Sequence, residues 1–311
     1  MNKTNEQKTL VENNNTKHVP KKDESYIPRI IGKQKDTEII GKAYDHRLNT
    51  LIIGETGTGK THCFREFCHQ RKLPYMRVNL NDATTVEDLV GQFTPDTNGT
   101  GFKWTDGVLT KFVRYGGVFV CDEINASNAG ILFVLHALLD DERKLVLVQK
   151  DGEVLHAHPD FWFVATMNPD YEGTKPLNPA LKDRFQLILN FDYDSKIEAK
   201  LVKDSRILRI AESLRPMYAK GEILTPISTR TLMYFEANIH LFGEDIAKKI
   251  FLSKFSTEEA RAIDSVMELV FVKEKKTKKG EGATNPDEAL AEMNVKEQLT
   301  DADEDKYEED A

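Results

Sequence analysis

The segment Gly54-Glu55-Thr56-Gly57-Thr58-Gly59-Lys60-Thr61 constrains this chain more than any other feature. It fits the pattern G-x-x-x-x-G-K-[ST] and lies between an apolar run at residues 50–53 and a helical stretch. Its glycines let the backbone fold back with N–H groups turned inward, and the following helix adds the positive end of its dipole. Such a cradle takes the β-phosphate of a nucleotide. Lys60 can neutralise charge on the β- and γ-phosphates, and the Thr61 hydroxyl can ligate Mg2+.

A phosphate cradle alone names no reaction. The second element is Val118-Phe119-Val120-Cys121-Asp122-Glu123, an apolar strand ending in two acids. Asp122, at the strand's end, would face the Mg2+ beside Thr61, and Glu123 would polarise a water for attack on the γ-phosphate. Enzymes that pass phosphate to a second substrate do not need that second carboxylate, so the pair favours ATP hydrolysis. Asn168 closes a further strand and precedes Pro169, and Arg184 stands just before another strand. An amide at the tip of a central strand can hold the attacking water, and an arginine presents a planar charged fork to transition-state phosphate.

Around these motifs, short apolar runs alternate with helical periodicity, the pattern of a parallel sheet with crossover helices. Five strands are expected at residues 50–53, 75–80, 118–122, 161–167 and 187–191, each rich in Val, Ile, Leu or Phe as strands covered on both faces should be. Beyond them the spacing turns helical at residues 197–218, 229–242 and 258–271. The fold class is therefore α/β, a five-stranded P-loop sheet flanked by helices, with a small all-helical domain behind it. Expected boundaries are a flexible arm at 1–25, the α/β domain at 26–193, the helical domain at 194–272 and a disordered basic-then-acidic tail at 273–311.

Charge supports that division. The 311 residues carry 43 basic and 51 acidic side chains, a net of −8. The segment 280–311 holds twelve acids against two lysines, whereas 273–279 holds five lysines and one glutamate, so the first 272 residues are nearly neutral. That balance argues against a protein that coats nucleic acid through bulk positive charge. No run approaches the roughly 18 apolar residues of a membrane helix, and three cysteines without metal-type spacing suit a reducing, cytoplasmic setting. Cys121, inside an apolar strand, reads as a small buried hydrophobe. His136, His156 and His158 read as structural rather than as metal ligands.

Several further segments carry a family resemblance: Asp88-Leu89-Val90-Gly91, Trp104-Thr105-Asp106-Gly107-Val108-Leu109, His136-Ala137-Leu138-Leu139-Asp140-Asp141-Glu142-Arg143, Asn168-Pro169-Asp170-Tyr171 and Ser228-Thr229-Arg230. With them the chain resembles the MoxR branch of the AAA+ ATPases, most of all the CbbQ/NirQ/NorQ group, with GvpN and midasin more distant. Two segments depart from that group. Asp122-Glu123-Ile124-Asn125 is nearer the general MoxR form, and Leu177-Asn178-Pro179-Ala180-Leu181 is nearer midasin and GvpN. The resemblance implies that Lys60 and Thr61 are the Walker A pair, Asp122 and Glu123 the Walker B pair, Asn168 the sensor-1 residue and Arg230 the sensor-2 arginine. It implies that Arg184 is an arginine finger acting on a neighbouring subunit, in a homo-hexameric ring.

The expected activity is conversion of ATP and water to ADP and phosphate, with ATP and Mg2+ as the bound groups. The expected role is a remodelling or activating chaperone acting on a client protein, with a von Willebrand factor A-domain partner. A nucleic-acid motor of a restriction or replication system is the alternative, and a non-hydrolysing ring is disfavoured by the complete residue set. Two loops are expected to carry mechanical output: a hairpin around residues 99–104, and one at 144–155 turning at Asp151-Gly152. Phe102 and Trp104 stand either as partner contacts or as packing for the first hairpin.

Overall fold

A computed structural model describes residues 18–97, 99–169 and 176–275. Residues 1–17 of the expected arm and the expected tail beyond residue 275 lie outside the described residues. The contacts divide the chain into two compact units. One runs to Glu55 and from Gly59 to Asp192, and the other takes Thr56–Thr58 together with the chain from Tyr193 onward.

In the first unit a small pair, β1 (Ile30–Ile31) and β2 (Gln34–Lys35), leads into α1 (Asp36–Asp45). Then come β3 (Thr50–Gly54), α2 (Lys60–Arg71), β4 (Tyr75–Asn79) and the short α3 (Val86–Val90). A hairpin follows, β5 (Gly91–Pro95) and β6 (Phe102–Asp106), and then α4 (Val108–Tyr115), β7 (Gly117–Asp122) and α5 (Ala129–Leu139). A second hairpin, β8 (Lys144–Leu147) and β9 (Glu153–His156), precedes β10 (Phe161–Met167), α6 (Pro179–Lys182) and β11 (Leu187–Phe191). The five strands expected from apolar runs form one parallel sheet in the order β11-β3-β10-β7-β4.

The sheet is covered on both faces, which explains its nearly continuous apolar strands. On one face Ile52, Val118, Val120, Trp162 and Val164 pack with Phe64 and Phe67 of α2 and Ile40 of α1. On the other, Leu51, Phe119, Cys121, Phe163 and Ala165 pack with Leu109 and Val113 of α4 and Leu135 and Leu138 of α5. All three cysteines are buried, and burial pushes their thiols up.

Residues 18–25, assigned by composition to a flexible arm, pack on the first unit instead. The His18 carbonyl accepts from Tyr75 N–H at the edge of β4, and the Pro20 carbonyl lies 3.0 Å from His69 Nδ1. Asp23 Oδ2 meets His62 Nδ1 at 2.5 Å. Burial of Asp23 acts to raise its pKa, but the hydrogen bond and charge of His62 outweigh it and hold the carboxyl well below the usual range. The composition signal missed this because a few polar contacts, rather than apolar area, hold the segment.

Both hairpins form. In the first, Trp104 is half-buried against the core, contacts Phe93 edge-on and donates to Asp106 at 2.7 Å, whereas Phe102 is 72% exposed. Packing therefore claims the tryptophan and leaves the phenylalanine outward. In the second, Asp151 and Gly152 both have positive φ (52° and 71°), and Glu153 N–H closes a turn onto the Lys150 carbonyl within the longer loop, residues 148–152, that joins Leu147 to its partner Glu153.

The second unit is helical throughout its described elements: α7 (Ser195–Leu201), α8 (Ser205–Ala219), α9 (Thr229–Phe242), α10 (Glu244–Leu252) and α11 (Thr257–Lys275). The single helix expected at 197–218 is two. Val202 leaves the helix to be buried, and Asp204 caps a new one by accepting from Arg206 N–H. The short α10 escaped the periodicity reading. Ile207, Ile210, Leu232, Phe235, Phe251, Ile263 and Met267 fill the core of this unit, and buried Glu198 is held by Arg215 at 2.6 and 2.7 Å and by Thr229 at 2.6 Å.

Two predictions follow from this packing. Trp162 is fully buried and meets Tyr44, Phe64 and Phe67 edge-on, so Trp162→Ala should cost about 3–5 kcal/mol in urea denaturation. Desolvation of Glu259 works to raise its pKa, but the backbone N–H groups of Ser256 and Leu224 bring it down to about 2. A depressed folded-state pKa adds stability above the ordinary glutamate range, and that stability is lost as pH falls towards 2. Thermal melting should therefore show Glu259→Gln below the parent at pH 7 and level with it near pH 2.

Candidate functional site

The parallel sheet places its chemistry at the C-terminal ends of β3, β7 and β10. β3 ends at Gly54, where a Cβ would stand 2.1 Å from the Phe191 carbonyl oxygen, so no other residue lets β11 and the loop's first turn approach so closely. Gly59 has φ +87° and is the residue from which α2 starts. A left-handed residue there turns the chain so that the first N–H groups of a 12-residue helix face the loop's interior.

Lys60, only 7% exposed, donates to the Gly54 carbonyl at 2.7 Å, the Glu55 carbonyl at 2.9 Å and Asn168 Oδ1 at 2.5 Å. Asn168 Nδ2 in turn donates to Glu123 Oε1 at 3.3 Å. The ammonium, the amide and the carboxylate are therefore linked through a single asparagine. Thr61 Oγ1 lies 3.3 and 3.4 Å from the two carboxylate oxygens of Asp122. A hydroxyl and a carboxylate side by side are a hard-oxygen pair of the kind that holds Mg2+, which keeps several waters and needs few protein ligands. The residues present therefore fit both a nucleotide phosphate and its metal.

Glu123 has φ 55°, an uncommon conformation for a residue with a side chain. It follows from position: β7 ends at Asp122, a 3-10 turn (Ile124–Ala126) begins at once, and the left-handed residue joins them. Its N–H donates to Thr166 Oγ1 at 3.4 Å, and that hydroxyl itself donates to Asp122 Oδ1.

Three supporting residues were not legible beforehand. Thr166, fully buried, ties the Asp122 carboxylate and the Glu123 N–H to β10. Asn125 donates to the Asn168 carbonyl at 2.8 Å and steadies the tip of β10. Arg77 of β4 donates to Asp122 Oδ2 from Nε at 2.9 Å and from Nη2 at 2.6 Å. The period-2 pattern of β4, which puts Tyr75, Arg77 and Asn79 on one face, would have been the signal for the last, but only strand order reveals which acid it meets.

Arg184 is not brought to this cluster. Its carbonyl accepts from the Asn49 side chain, at the start of β3, while the loop lies at the other end of that strand. Five residues of strand span roughly 16 Å, beyond the reach of one arginine. Its guanidinium instead pairs with Asp140 and donates to the Ala180 carbonyl at 2.6 Å. Arg230 belongs to the second unit, exposed in the first turn of α9, whose N-cap Ser228 accepts from Thr231 N–H at 3.1 Å. Thr56–Thr58 group with that unit, where Tyr193 Oη donates to the Thr56 carbonyl at 3.0 Å and a Cβ on Gly57 would meet Ser228 Cβ at 2.9 Å.

The family described as AAA domain (dynein-related subfamily) matches residues 49–185. The denitrification regulatory protein NirQ of Pseudomonas aeruginosa is 30% identical over 248 residues, covering 76% of this chain and 93% of that protein. NirQ of Stutzerimonas stutzeri is 28% identical over 76% of this chain and 89% of its own length. CbbQ of Hydrogenophilus thermoluteolus is 33% identical over 62% of this chain and 74% of its own.

Thr166→Val should leave the Glu123 N–H and one Asp122 oxygen without their buried partner, at a cost of about 1–3 kcal/mol in chemical denaturation.

Proposed function

The chain belongs to the MoxR branch of the AAA+ ATPases, with NirQ and CbbQ among its relatives, and from that premise we propose that it is an ATP-hydrolysing ring subunit that remodels or activates a client protein. The observation that carries the reading is the linkage of Lys60 to Glu123 through Asn168. In the resting arrangement the ammonium is satisfied by loop carbonyls and the amide. When ATP enters, Lys60 exchanges those acceptors for β- and γ-phosphate oxygens, and the loop from Gly54 to Gly59 supplies N–H donors to the same phosphates. Asn168 is then free to orient a water, and Glu123 takes its proton as it attacks the γ-phosphorus while the bond from that phosphorus to the β,γ-bridging oxygen breaks and ADP leaves. Mg2+, held beside Thr61 and Asp122, would neutralise phosphate charge.

Arg184 acts in trans in this reading. Its place at the opposite end of β3 from the loop supports that role, since it cannot serve the nucleotide of its own chain. A homo-hexameric ring would bring it to a neighbour's γ-phosphate, and Arg230 of the helical domain would complete the site as sensor 2. Assembly and turnover are then coupled.

The hairpins favour a protein client over nucleic acid. Phe93 and Phe102 of the first, and Val146, Val148 and Val154 of the second, are exposed. The hairpin lysines Lys103, Lys144 and Lys150 each lie within ion-pair distance of an acid, Asp96, Glu142 and Glu153, which weakens any phosphate-binding footprint. NirQ is described as a regulatory protein. A comparable cytoplasmic role here, exerted with a von Willebrand factor A-domain partner, completes the proposal. Among the described residues no helix is long and apolar enough to cross a membrane.

Glu123→Gln should bind ATP like the parent while its steady-state turnover drops roughly 10²- to 10⁴-fold. Arg184→Ala should bind nucleotide normally yet lose turnover, and adding an excess of Glu123→Gln subunits, which still offer Arg184, should restore part of it. Parental turnover in Glu123→Gln would remove the base assignment, and full activity in a dilute monomer would remove the role in trans.

A further inference from the structure

Asp122 is already fully engaged. Its Oδ1 accepts from Thr166, and its Oδ2 accepts two donors from Arg77, whose guanidinium lies at 2.6 and 2.9 Å. The Thr61 hydroxyl, at 3.3 and 3.4 Å, is the weakest of its partners. The carboxylate side chain is only 9% exposed, whereas that of Arg77 is 41% exposed.

Burying a carboxylate without a counter-charge is costly, so a metal site built around one needs some cation in every state. Arg77 supplies it. The residue sits on β4, the outermost strand of the sheet, on the face covered by α2, and reaches from the position paired with Val120 up to Asp122. Among the described residues no strand flanks β4 on its outer side in the sheet, and the Arg77 side chain is already 41% exposed. A divalent ion held by Thr61 and Asp122 would meet a carboxylate oxygen already carrying two guanidinium donors, and the two cations would repel each other.

We propose that Arg77 is a built-in placeholder for the metal: it holds Asp122 in the metal-free protein and cedes Oδ2 when Mg2+ arrives with nucleotide. This rests on the nucleotide-binding reading above and deepens it. Metal entry becomes an exchange of one cation for another, so Arg77 sets the Mg2+ concentration at which the site fills. It does not touch the reacting phosphate, and its part is positional. The Walker-type pattern around it gives no reason for an arginine at this position. The reason lies in the cross-strand pairing of β4 with β7.

The test uses the full chain and a fluorescent ADP analogue, titrated with Mg2+ at fixed nucleotide, for the parent, Arg77→Met and Arg77→Lys. With the competing charge gone, Arg77→Met should reach half-saturation at roughly five-fold lower Mg2+. Arg77→Lys, which keeps the charge but loses the fork, should shift in the same direction by less. Thermal melting supplies a second readout: Arg77→Met should melt below the parent in EDTA, and the gap should close in Mg2+ and ADP. Should Arg77→Met fail to fold, the Lys variant carries the titration alone. Intact analogue binding with an unchanged or higher Mg2+ requirement in the folded variants overturns the placeholder and leaves the ATPase reading standing. Failure of the parent to bind the analogue at all overturns both.

Discussion

A buried ammonium holds this site together. Lys60 is nearly inaccessible, and the oxygens that keep it there come from the end of β3 and the tip of β10. An unpaired buried charge is among the least tolerable features of a folded protein. The loop must therefore fold back to present its carbonyls, and β10 must end where its asparagine can reach. The carbonyl and amide acceptors are thus in place around the ammonium before any phosphate, and in the proposed cycle phosphate would take their place.

The same demand for compensation recurs a strand away. Asp122 needs donors as Lys60 needs acceptors, and finds them in Thr166 and Arg77. Each charge has compensating partners, carbonyl and amide oxygens around the ammonium and a hydroxyl and a guanidinium around the carboxylate.

Much of this was legible in the sequence, because the strands are short, apolar and buried on both faces, and because the loop and the two acids follow local patterns. The five strands, the loop and the hairpin turn at Asp151-Gly152 all rest on neighbours in sequence. What escaped depends on neighbours in space. Arg77 is one alternating residue of a strand until β4 is set beside β7. Trp104 and Phe102 look alike two positions apart, yet one packs and the other does not. The break at Val202 hides inside a helical period because a buried valine satisfies the periodicity whether or not the helix continues. The contacts of residues 18–25 are polar and few, and composition counts only apolar area.

Glu123 owes its direction to a left-handed backbone, a conformation that costs of order 1–3 kcal/mol for a residue with a side chain and almost nothing for glycine. The fold therefore leans, at the position of the proposed base, towards a residue that cannot take a proton. Glutamate and glycine codons differ by a single base. A single base change to glycine would relieve that strain and remove the carboxylate, and with it the acceptor of the Asn168 amide.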